Sequence, residues 1–117
     1  MIKTLELFDV AITQNAAVSH DENVSNWLGD HEIGGSAVAA AAGTGVTVVT
    51  VLGSYDGVNF NAIGTLLAGV ASDGAADFGT LDLAAPYPFL RFTATENNTG
   101  AVTNFILHVS INSTGGD

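Results

Sequence analysis

Hydrophobic and polar residues alternate with a period of two along most of this chain, and helical spacing is nearly absent. Lys3 to Ile12 reads as a strand, with Ile2, Phe8, Val10 and Ile12 on one face and Leu5 and Leu7 on the other. Ala16 to Ser19 continues as a weak strand. His20 to Glu32 is polar, with Val24, Trp27 and Leu28 as its only anchors, and reads as a long loop around a short strand. Ser36–Ala42 and Val46–Ser54 flank Gly43-Thr44-Gly45, whose glycines suit a tight turn, so the two segments are expected to form a hairpin. The alanines at 37–42 favour helix in isolation, but so short a run ahead of Gly-Thr-Gly cannot nucleate one, and strand is preferred.

Tyr55-Asp56-Gly57-Val58-Asn59 carries the Asp-Gly dipeptide of a turn. Phe60–Leu66 and Phe78–Leu83 follow as short strands, joined by a Gly/Ala/Asp loop at 68–77. Pro86 and Pro88 bracket Tyr87 and interrupt pairing. Phe89–Thr95 and Val102–Ile111, separated by Glu96-Asn97-Asn98-Thr99-Gly100, read as a second hairpin. About seven or eight antiparallel strands at roughly ten-residue spacing specify an all-β chain, a single small β-sandwich or jelly-roll-like domain. The expected division is an N-terminal strand and extended arm over 1–36, a sandwich core over 37–111 and a flexible tail over 112–117. Phe78, Phe92 and Phe105 are expected in the core.

Length and composition agree: 117 residues make one domain, and 47% hydrophobic against 12% charged residues argues for a folded chain. Charge narrows the partners. Two basic residues, Lys3 and Arg91, stand against twelve carboxylates for a net charge of −10. Too few cations are present to neutralise phosphates, so neither nucleic acid nor an anionic membrane is an expected partner. With no cysteine, disulfides and thiolate metal sites are excluded. The N-terminal segment alternates and carries Glu6 and Asp9 where a signal peptide needs an apolar run. The apolar tract from Ser36 to Leu52 is too short and too broken to span a bilayer. A soluble protein without a cleaved export peptide is expected.

Candidate chemistry is sparse. His20-Asp21-Glu22 and Asp30-His31-Glu32 offer imidazole and carboxylate ligands for a zinc-like ion, but neighbours on an extended chain point to opposite sides, and a solvated loop is the preferred reading. Asp73, Asp77 and Asp82, and Asp56 with Asn59, are hard oxygen donors lacking the spacing of a calcium loop. There is no Gly-x-Ser-x-Gly, and no lysine follows the glycine-rich stretches as a phosphate loop requires. No catalytic residue, metal or cofactor is therefore assigned, and the protein is not expected to be an enzyme. His108 shares a strand face with Asn104, Ile106 and Ser110 and is placed at a sheet face. Trp27, Tyr55 and Tyr87 are the aromatics that would contact a glycan.

Two motifs carry a resemblance. Val51-Leu52-Gly53-Ser54-Tyr55-Asp56-Gly57-Val58-Asn59-Phe60 has the form of a strand ending in a Gly-Ser-x-Asp-Gly-x-x-aromatic turn, and Tyr87-x-x-x-Arg91-Phe92 opens a later strand. Over residues 46–111 this pattern resembles head decoration (cement) proteins of tailed bacteriophages. Discoidin-like sandwiches carry a similar turn, but there the aromatic is more often Trp than Phe60, and the secreted members hold cysteines absent here. The resemblance implies a non-enzymatic phage virion protein, made in the host cytoplasm, that binds the outer capsid surface and stabilises the shell. It further implies the major capsid protein as partner and a homotrimer as the assembly. Leu5, Leu7, Phe8, Val24, Trp27 and Leu28 in the arm are the residues expected to meet that partner. The alternative is a carbohydrate-binding or tail-fibre adhesion module using Trp27, Tyr55 and Tyr87.

Overall fold

The computed structural model describes residues 2–13, 15–24, 31–40, 46–71, 73–83, 87–96 and 102–113. They form eight strands: β1 (Ile2–Ile12), β2 (Ala17–Asn23), β3 (His31–Ala40), β4 (Val46–Ser54), β5 (Asn61–Ala71), β6 (Asp73–Leu83), β7 (Phe89–Glu96) and β8 (Val102–Ser113). All pairing is antiparallel, in two four-stranded sheets ordered β1-β8-β3-β6 and β2-β7-β4-β5. This is the strand order of a jelly roll, in which a long folded-over ribbon places successive strands on opposite sheets. The all-β sandwich expected from alternation is the fold observed.

The core lies between the sheets. Burial alternates residue by residue along β4 and β7, with Val49, Val51, Leu90, Phe92 and Ala94 turned inward. From the facing sheet, Ile33, Ala37 and Ala39 on β3 and Phe105, Leu107, Val109 and Ile111 on β8 complete it. Each large apolar side chain fully buried here contributes about 1.5–3 kcal/mol relative to exposure. The alanine-rich segment is a strand, as expected. It lies centrally between β8 and β6, and its small side chains admit β5 across the core.

Several expectations are corrected. Neither expected hairpin forms: β3 and β4 lie in opposite sheets, as do β7 and β8, and among the described strands only β4–β5 turns back within one sheet. Glycine in a connection permits a reversal but does not choose between a partner beside the strand and one across the core. The expected loop at 68–77 is strand over most of its length, because β5 runs to Ala71 and β6 begins at Asp73. Both are edge strands, where poor strand formers such as Gly, Ala and Asp are tolerated. Phe78 is 80% exposed. On β6 the inward positions are Gly79, Leu81 and Leu83, and parity turns Phe78 outward opposite Ser36.

In β1 a bulge between Glu6 and Phe8 shifts the alternation. Leu5 consequently faces the same side as Phe8, opposite the inward Val109 and Leu107. The expected arm over 1–36 contains β1, β2 and the start of β3. β1 pairs with β8, β2 with β7, and residue 36 falls inside central strand β3.

Candidate functional site

The β4–β5 turn is built by two side chains. Ser54 Oγ accepts the backbone N–H of Asp56 (3.2 Å) and of Gly57 (2.9 Å) and donates to Asp56 Oδ1 (2.9 Å). Asp56 Oδ1 in turn accepts the N–H of Val58 and of Asn59, both at 2.8 Å, and Oδ2 accepts Asn59 Nδ2 at 2.7 Å. Gly57 closes the turn at φ 78°, a conformation that strains any side-chain-bearing residue. Donation from the Asn59 and Val58 backbone, then from the Asn59 and Ser54 side chains, holds the Asp56 carboxyl far below the usual carboxylate range. The Asp56–Asn59 pair is thus occupied with building the turn.

That turn is a rigid apex carrying two exposed apolar side chains, Tyr55 at 65% and Val58 at 78%. Tyr55 packs against Tyr87, ring centroids 4.9 Å apart and tilted by 33°. At the far side of the turn, Phe60 lies under the Arg91 guanidinium, with Cζ 3.9 Å from the ring centroid. Arg91 also grips Asp21 through Nε (2.7 Å) and Nη2 (3.0 Å). This pairing, first through its hydrogen bond and then through the charge of Arg91, lowers the Asp21 pKa, and it raises that of Arg91. The turn motif and the Arg-Phe motif, far apart in sequence, therefore touch. Their shared residues are a brace between β2, β7 and the turn.

The other candidates separate. His20 and Asp21 sit on opposite faces of β2: His20 Nε2 is 3.0 Å from Glu22 Oε1, whereas Asp21 turns to Arg91. Glu32 is exposed on β3, Asp30 lies outside the described residues, and the His31 side chain is not described. Among the described residues no group of three metal-ligating side chains comes together. Asp77 and Asp82 sit five residues apart on β6, where Asp73 begins the strand. Of the expected partner contacts, Phe8 and Val24 are buried in the core, Leu5 and Leu7 are half-buried against it, and Trp27 and Leu28 lie outside the described residues. Of the glycan candidates, Tyr55 and Tyr87 are brought together.

Sequence reasoning missed Glu96 as well. It was assigned to a turn, yet it ends β7 fully buried, accepting the N–H of Asn15 at 2.6 Å, while its own N–H donates to the Ala16 carbonyl at 2.9 Å. Glu96 thereby fastens the β1–β2 turn, where Asn15 adopts φ 57°.

No protein-family model matches the chain, and no curated protein matches its sequence. Solved structures do. The PBSX exported protein XepA superposes with a TM-score of 0.66 at 18% identity, covering 98% of this chain and 38% of that one. A chain of infectious bursal disease virus, Gx strain, gives 0.61 at 16% identity, over 100% of this chain and 34% of that one. The CBM36-1 domain of a multidomain xylanase from the hindgut metagenome of Trinervitermes trinervoides gives 0.53 at 11% identity, over 98% and 99%. At these identities the likeness is one of fold. The chain spans well under half the length of XepA and of the viral chain.

Proposed function

We propose that this is a non-catalytic virion protein that seats on the outer surface of a phage capsid and stabilises the shell. The observation that carries the reading is the apex of the β4–β5 turn, which holds Tyr55 and Val58 out to solvent on a backbone locked by Ser54 and Asp56. A rigid, exposed aromatic loses little conformational entropy on docking and suits the centre of an interface. The fold shared with a chain of infectious bursal disease virus supports a particle-borne role. In this reading the turn is the docking surface, and β1 and β2 of the expected arm lie at the edges of the two sheets.

The partner is the major capsid protein, met by three copies of this chain around a local three-fold position. Repetition over a symmetric shell multiplies a weak contact into stable occupancy. Immunogold labelling of particles with antibody to this chain should mark the head, and the heads should lose thermal stability when the protein is stripped. Labelling confined to the tail tip rejects the reading. Tyr55→Ala combined with Val58→Asp should reduce head occupancy about tenfold or more, the cost of losing a central anchor.

A further inference from the structure

The outer face of the β1-β8-β3-β6 sheet, on the side of the molecule away from Arg91, holds an open trough of about 540 Å³. Its floor and walls follow from register. One row across the four strands reads Thr4, Ser110, Gly34, Thr80, and the next reads Glu6, His108, Ser36, Phe78. The first row is low, and a Cβ added at Gly34 would meet nothing within 4 Å. The second row has tall ends. Phe78 stands 80% exposed on edge strand β6, and His108, half exposed, pairs with Glu6 across β8 and β1 at 3.4 Å.

Leaving a phenylalanine in water forgoes about 1.5–3 kcal/mol of burial, so an aromatic wall beside a mostly apolar floor, with a few hydroxyls set among its glycines, is a costly surface without an occupant. The trough lies in the size range of ligand sites and crosses three inter-strand spacings, roughly 14 Å. Its chemistry selects the occupant. An apolar floor with a ring face, a few hydroxyl groups and the His108 imidazole, beside which Glu6 stands, match the apolar C–H face and the hydroxyls of a sugar. Among the described residues the trough has neither lysine nor arginine in its lining, and the chain carries −10, so phosphorylated, sulfated or uronic ligands are repelled.

We propose that this trough binds a neutral saccharide chain, with Phe78 stacking on a sugar ring and Ser36, Thr80 and the His108–Glu6 pair bonding its hydroxyls. The site is separate from the β4–β5 turn and does not depend on the capsid reading.

Native gel electrophoresis of the purified chain through xylan, galactomannan, mixed-linkage β-glucan or dextran provides the test, with polygalacturonate as the anionic control. At least one neutral polymer should retard the protein, and polygalacturonate should not. Phe78→Ala, which removes the wall, and Gly34→Leu, which fills the floor, should each weaken retardation at least tenfold, while Thr65→Ala, at an exposed position on β5 of the opposite sheet, leaves it unchanged. Both trough substitutions point to solvent, and unchanged far-UV circular dichroism verifies the fold. Retardation by no neutral polymer, or retardation unaltered in both variants, overturns the proposal. Sedimentation showing a dimer that Phe78→Ala dissolves would instead assign the face to self-association and also overturn it.

Discussion

Asp56 and Glu96 are both carboxylates that satisfy backbone donors, in opposite surroundings. Asp56 is exposed and accepts the N–H groups of Val58 and Asn59. Asp56→Ala should lower the melting temperature, and Asp56→Asn should do so less, since an amide oxygen still accepts. Because the folded pKa lies below the ordinary carboxylate value, this contribution is complete above that value and is lost as pH falls through it toward the folded pKa. The gap in melting temperature between the native chain and Asp56→Asn should therefore narrow as pH is lowered from about 5. Glu96 is buried, and Glu96→Ala leaves the Asn15 N–H without its acceptor, a loss of about 1–3 kcal/mol measurable by chemical denaturation. The Asp-Gly dipeptide announced the first role. Nothing local announced the second, because Glu96 precedes Asn97-Asn98 as any turn residue would, and its partner is distant in the chain.

At the scale of the strands, β5 and β6 approach closely at Gly79, where an added Cβ would run into the Leu66 carbonyl oxygen and lie 3.0 Å from Leu67 Cδ2. Backbone cannot yield as a side-chain tip does, so Gly79→Ala should cost about 1–3 kcal/mol in denaturant unfolding without changing the fold. Strand existence was largely legible from alternation, and β4 was read with its observed bounds. Strand pairing was not. Alternation says which face of β3 or β8 is buried, and that face is the same whether the next strand lies beside it or across the core. Phe78 shows the complementary error: its size suggested the core, while the parity of Gly79, Leu81 and Leu83 already turned it outward. The brace of Asp21, Arg91 and Phe60 was equally illegible, although each motif that supplies it was recognised.

For the whole molecule, the jelly roll makes almost every pairing non-local. β1 finds β8, and β2 finds β7, only after most of the chain has been placed. Refolding should be slow for the size, in the range of milliseconds to seconds, as stopped-flow fluorescence would show. One detail of that topology reaches further. Ile2 stands opposite Asn112, so the strand that opens the chain and the strand that closes it end side by side. A short glycine-serine bridge from residue 113 to residue 2, with the chain reopened between β3 and β4, would give a circular permutant in which β8 and β1 form a hairpin. Such a permutant should keep the fold and reach it faster, because its most distant contact has become its most local one.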